Sequence, residues 1–353
     1  MPTQKNTTPN ATEDLAFQKK VWITAAIFSF IVILFLLIHS TFNVFLLILA
    51  GSLIAIFFRA LSSKIQRKTG WKEGICVAIS VSSTLLILAA LFWLIGAKVQ
   101  SQLVQLIEIL PETVDKAKAW LNETTTGAKL LEDALSSQSL GKAQGFLQQF
   151  FQSTFGVLGD LYVVLFMGIF FTISPEIYIK GIVNIIPQKG QAKGQEVLDT
   201  LGAELRKWLK GTLFSMFVVF AFTAIGLAII GMPLWLVLAL LAGLISFIPN
   251  FGPLLALIPA VLLALAQSPQ TALLVLGLYI LIQFIESNFI TTTIQKKLIN
   301  MPPALIMIGQ LFMGTLTGAW GLVLATPIVL IIMVMVQELY IKSRDTNSDQ
   351  AAK

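Results

Sequence analysis

"SFIPNFGPLLALIPA", residues 246–260, sets two prolines, an asparagine and a glycine inside an apolar run that extends from 234 to 266. One continuous helix of that length would measure about 50 Å, against a hydrocarbon layer of about 30 Å. Pro249 and Pro253 each lack a backbone donor, and Gly252 can take conformations closed to other residues. The spacing therefore predicts a break across Pro249, Asn250, Gly252 and Pro253. The halves, 234–248 and 254–266, would be about 23 and 20 Å long, each too short to cross a bilayer comfortably. A re-entrant hairpin fits both lengths. Irregular backbone at that depth needs protein or a water-filled cavity to satisfy the groups it frees.

The surrounding sequence calls for a membrane. The chain is 56% hydrophobic and 12% charged, more apolar than one soluble core of 353 residues could absorb. Runs of spanning length lie at 21–39, 41–58, 75–97, 154–174, 211–231 and 271–290. The first lacks an A-x-A-like cleavage site and is followed at once by the second, so it reads as a retained span. A second overlong run, 303–336, is interrupted by "GTLTGAWG", with Gly314, Gly318 and Gly321 near its middle. The expected fold is all-α and polytopic, with six full spans and two oppositely oriented interrupted hairpins, 234–266 and 303–336. Two broken segments of opposite sense are the sequence sign of a transport site at the midplane of an inverted repeat. The alternative is that each run is one kinked, tilted span.

Charge sets the orientation. The loop 59–73 carries five basic residues and is assigned to the cytoplasm. Counting outward, 1–20, 175–210, 291–302 and 337–353 also fall inside, which places 19 of the 24 basic residues there. Both termini are then cytoplasmic. The segment 98–153, with five basic and six acidic residues, is assigned outside. Its apolar positions Leu103, Ile107, Leu110, Val114, Ala117 and Leu121 form a heptad stripe interrupted by Pro111, which packs on its own chain or pairs with another subunit. The stretch 195–210 is amphipathic with a basic side and is expected to lie along the membrane surface. The net charge of +6 reads as topology, with no basic face suited to nucleic acid.

Several chemistries drop out. Cys76 is the only cysteine and His39 the only histidine, so no disulfide within the chain, thiolate metal site or Cys/His catalytic pair can be built. No G-x-x-x-x-G-K-[ST] loop is present, and no cofactor is expected. "VLGDLY" lacks the first glycine of a G-x-G-D aspartyl site, so the chain is not read as an enzyme. Only two acidic residues, Asp160 and Glu286, remain within the spans, where a charge costs at least about 2.5 kcal/mol and usually has a role. Asp160 lies near the outer end of its span. Gln283 precedes Glu286 by three residues on the same helical face, while Asn288 points elsewhere unless the helix unwinds. Glu286 is either a solute or ion contact or half of a Gln–Glu pair tying two helices together.

"IPNFGPLLALIPAVLLAL" at 248–265, "QFIESNFI" at 283–290, "NMPPAL" at 300–305 and "GAWGLVLATPI" at 318–328 together resemble the autoinducer-2 exporter-like, or PerM-like, family of bacterial inner-membrane permeases. The resemblance covers nearly the whole chain. It implies efflux of a small polar solute, autoinducer-2 being the eponymous case, with sodium–proton exchange in some members. It also implies a homo-oligomer, a pentamer on the family pattern, whose hairpin-bearing half moves against a fixed scaffold. Pro249, Asn250, Gly252, Pro253, Gln283, Glu286, Asn288, Gln310, Gly314 and Gly318 are assigned to the pathway, and Glu286 or Asp160 to coupling with H+ or Na+. Where the family often has a proline after its Q-x-x-E-x-N motif, this chain has Thr292. The competing functions are a cation–proton antiporter with Glu286 as the titrating group, and a non-transporting scaffold or regulator whose exterior helix binds a partner.

Overall fold

The computed structural model of the chain describes residues 11–90, 93, 159–249, 251–291 and 302–342, and all its regular elements are helical. The exterior segment 98–153, Asn250, Thr292 and the outermost parts of both tails lie outside the described residues. The chain divides into two compact units between Leu46 and Leu47. Helix α1 is Ala11–Thr69. Within the first unit it passes through His39, Ser40 and Thr41 without a turn, where the sequence reading separated two spans. No proline or glycine occurs between 21 and 50, and an isolated Ser or Thr weakens a helix too little to end it.

In the second unit the rest of α1 packs with α2 (Glu73–Ala90) and α3 (Gly159–Ile173). Arg59 ties all three together, donating to the Thr172 carbonyl at 2.9 Å and pairing with Glu73. Helix α3 turns by 88° at Ser174 into α4 (Pro175–Ile185), since Pro175 cannot continue the ladder of α3 but suits the first turn of a new helix. Helix α5 (Gln188–Ile230) ends at Gly231, whose φ of 77° closes the helix in a left-handed cap.

The chain then folds back twice. Helix α6 (Trp235–Ile245) packs along α5, and a Cβ built on Gly243 would lie 2.7 Å from the Phe220 Cβ. After a turn at Ser246–Pro249, α7 (Phe251–Gln267) packs against α6. The turn begins three residues before the predicted Pro249–Pro253 stretch, and Gly252 and Pro253 already lie in α7. Ser268 caps α8 (Pro269–Ile285), accepting from the Thr271 N–H at 3.1 Å, and a π turn, Glu286–Thr291, continues that helix. Helices α9 (Pro303–Thr317) and α10 (Ala319–Val336) form an antiparallel hairpin about Gly318. Its register is fixed by Gly309 against Val329 and Gly314 against Leu322.

Among the described residues, five helices are long and apolar enough to cross a bilayer, and six if the bent pair α3–α4 counts as one. Helices α6 and α9 fall short of that length, whereas α10 with the following π turn, 319–341, reaches it. The apolar core is built from α5 to α8, with Leu227, Leu238, Val275 and Tyr279 at its centre. Ala256, Ala260 and Ala264 line the inner face of α7, all at most 1% exposed. Small residues at a four-residue spacing allow the backbone approach that holds helices together where lipid removes the hydrophobic drive. Outward, Phe217, Leu273 and Ile308 are each at least 60% exposed, as lipid-facing positions would be.

The amphipathic stretch 195–210 differs from expectation. It is continuous with the following span in α5, and its apolar side chains Val197, Leu205, Trp208 and Leu209 are buried against protein, with Trp208 edge-on to Phe247. Neighbouring helices cover the apolar stripe that would otherwise need the bilayer interface.

Candidate functional site

Glu286 occupies the junction between α8 and the π turn and is 7% exposed. Ser215 of α5 donates its hydroxyl to Glu286 Oε1 at 3.0 Å. Gln283, one turn earlier on α8, donates Nε2 toward Oε2 at 3.4 Å and to the Ser287 hydroxyl at 2.8 Å. Helical spacing brings Gln283 and Glu286 to one face, and the close packing of α5 on α8 supplies Ser215. Ser215 lies five residues beyond Lys210, about 7.5 Å of helical rise, so Glu286 sits nearer the basic end of the bundle than its middle. Asn288 donates Nδ2 to the Phe284 carbonyl at 2.9 Å on an exposed face, where the helix widens locally.

The broken run has its own partner. Gln310 of α9, fully buried, donates Nε2 to the Pro249 carbonyl at 2.8 Å. The interruption frees backbone groups, and the second hairpin satisfies one of them. Gly252 is buried, and a Cβ there would fall 2.3 Å from the Ile245 carbonyl oxygen and 2.7 Å from Ser246 Cα. The residue permits a close backbone approach, and any side chain would collide with main chain. Pro253 stands in the first turn of α7. Gly318, with φ 65° and ψ −137°, forms the tip between α9 and α10, and Gly314 lies in ordinary contact with Leu322. Asp160 accepts a hydrogen bond from the Trp320 indole at 2.7 Å, which brings the tip of the second hairpin level with the start of α3.

The assigned residues thus fall into three groups: Gln283 with Glu286, Pro249 with Gln310 near Gly252, and Asp160 beside the tip at Gly318. Sequence reasoning missed Ser215, since a lone serine in a span carries no signal, and it missed a row of buried hydroxyls. Thr223 of α5 and Tyr279 of α8 lie level with each other in the register set by Ser215–Glu286 and Gly226–Leu278, and neither hydroxyl has a partner among the described residues. Glu338, 3% exposed beyond α10, binds Lys193 of α5 at 3.2 Å and also Lys342. This ion pair puts 193 and 338 on the same side of the bundle. Among the described residues no three His, Cys, Asp or Glu side chains gather as a metal site would require.

The comparisons with known proteins agree with this architecture. Residues 25–341 match the model of the AI-2E family transporters. The putative transport protein YrrI of Bacillus subtilis is 29% identical over 160 residues, 45% of each chain. YueF of the same organism, also a putative transport protein, is 27% identical over 41% of this chain and 40% of its own. The chain thus spans less than half the length of these two relatives. The AI-2 transport protein TqsA of Escherichia coli is 22% identical over 82% of this chain and 86% of its own length. With the family match covering most of a chain whose described residues include five helices long and apolar enough to cross a membrane, the protein belongs to the AI-2E family of transporters.

Proposed function

We propose that the chain is a secondary transporter of the bacterial inner membrane that exports a small polar solute of the autoinducer-2 kind. The single observation that carries this reading is the buried carboxylate of Glu286, which accepts hydrogen bonds from Ser215 and Gln283 between two helices of spanning length. A carboxylate taken from water is costly unless it has work to do, and a transport cycle that exposes it first to one side and then to the other gives it that work. The interrupted hairpins provide the moving parts. The first break is bonded to the second hairpin by the contact between Gln310 and the Pro249 carbonyl, and opening that contact would free the first tip to move. With no nucleotide loop in the sequence, an ion gradient or a partner must supply the energy, and the buried carboxylate favours the gradient, H+ or Na+ entering as solute leaves. The pathway is assigned to Pro249, Asn250, Gly252, Pro253, Gln283, Glu286, Gln310, Gly314 and Gly318, with Asn288 at its margin. The assembly, a homo-oligomer of five copies on the family pattern, belongs to the same proposal and is checked by cross-linking in native membranes.

The test is autoinducer-2 efflux from proteoliposomes under an imposed pH or sodium gradient. Glu286→Gln keeps the size of the side chain and removes its charge. The variant is expected to assemble normally and to lose the gradient-driven part of the flux. Unchanged flux and pH profile would return Glu286 to an interhelical tie. A second reading, cation–proton antiport without an organic solute, draws on the same carboxylate. Cation-dependent proton movement in the absence of solute would favour it, and no flux of any kind would favour a membrane scaffold or regulator.

A further inference from the structure

Gln310 and Thr326 face the same problem from opposite helices of the second hairpin. The contacts of Gly309 with Val329 and of Gly314 with Leu322 place Thr326 within one helical turn of the level of Gln310. Gln310 is 0% exposed and Thr326 3% exposed. The Gln310 amide nitrogen is used on the Pro249 carbonyl, but its oxygen Oε1 and the Thr326 hydroxyl have no partner among the described residues. Pro327, fully buried beside Thr326, has no N–H, so the Val323 carbonyl one turn earlier loses its ordinary helical donor. Each buried polar group left without a partner costs about 1–3 kcal/mol. Clustering that cost at the level of the hairpin break points to a ligand.

The chemistry of the cluster selects the ligand. It offers an amide oxygen, a carbonyl oxygen and a hydroxyl, two acceptors and one group that can donate or accept. Neither hairpin run, 234–266 or 303–336, contains an Asp, Glu, Lys, Arg or His, so nothing there balances a charge. We infer that Gln310 and Thr326 form a binding station for a neutral solute bearing at least two hydroxyl groups, one donating to Gln310 Oε1 and the other hydrogen-bonded to the Thr326 hydroxyl. The Nε2–Pro249 bond orients the amide so that its oxygen is the free end. The station rests on the proposed transport function and narrows its substrate to neutral polyols.

Binding to the purified, detergent-solubilised chain tests the station without requiring transport. The probes are autoinducer-2 and radiolabelled meso-erythritol. Wild type is expected to bind at least one of them saturably. Thr326→Val, which removes the hydroxyl at nearly constant shape, is expected to weaken binding about three- to tenfold. Its melting temperature should be unchanged or higher, because no bond within the protein is lost. Thr326→Ser, which restores a hydroxyl, should recover most of the affinity at the same stability. The inference is overturned if neither probe binds saturably to wild type, if Thr326→Val binds as tightly as wild type, or if Thr326→Ser is as weak as Thr326→Val. Saturable, Thr326-dependent binding without any efflux would keep the station and remove the proposed function. Efflux with binding independent of Thr326 would do the reverse.

Discussion

The two interrupted runs look alike in sequence and are built differently. In 234–266 the turn ends at Pro249, and Pro253 in the first turn of α7 has no N–H for the Pro249 carbonyl, which is satisfied by Gln310 from the other hairpin. In 303–336 the break is one glycine: the Gly318 N–H bonds to the Gly314 carbonyl and the Leu322 N–H bonds to the Gly318 carbonyl. The first tip depends on the second hairpin. The second is held instead by Trp320 on Asp160, a side-chain bond to α3. Proline removes a donor and leaves a carbonyl that tertiary structure must satisfy, whereas glycine changes direction while keeping its own N–H and C=O bonded.

The strongest way to break this comparison is to ask whether both runs return to the side they enter. In a Cys76→Ser background, a cysteine at position 269 is expected to react fully with an impermeant thiol reagent applied from outside, and one at position 300 not at all. The opposite pattern would make each run a single tilted crossing. Next in size, Gly252→Leu drives a side chain into the Ile245 carbonyl and should cost about 3 kcal/mol or more. Loss of the monodisperse fraction in detergent would show it, and a stable variant would mean that the tip is looser than its packing indicates.

Gln310→Leu is expected to cost about 1–3 kcal/mol in thermal unfolding by leaving the Pro249 carbonyl unpaired. Gly318→Ala should fall in the same range, about 1–3 kcal/mol, by forcing a side chain into a backbone region that glycine alone tolerates. The two differ in kind: the first should loosen α6–α7, measured by faster amide exchange there, and the second should leave that exchange unchanged. Smallest, Trp320→Phe removes one indole donor to Asp160 and should cost about 1 kcal/mol. If Gln310→Leu proves no worse than Trp320→Phe, the freed carbonyl is not what couples the hairpins.

Apolar length, proline and glycine placement and the single intramembrane glutamate are local properties, so the sequence alone determined the all-helical membrane class, the positions of both breaks and the Gln283–Glu286 pair. Helical periodicity accounts for that pair because it is a rule about neighbours on one helix. The continuity of α1 through 39–41 was not legible, because whether a short polar stretch makes a turn or continues a helix depends on what surrounds it. The burial of Val197, Leu205 and Trp208 also had to come from the packed chain: an apolar stripe reads the same whether a bilayer surface or a neighbouring helix covers it. The Ser215–Glu286 and Gln310–Pro249 bonds were decided only by tertiary structure. Each is a contact between residues far apart in the chain, and no spacing rule links positions whose distance is set by how helices fold back on one another.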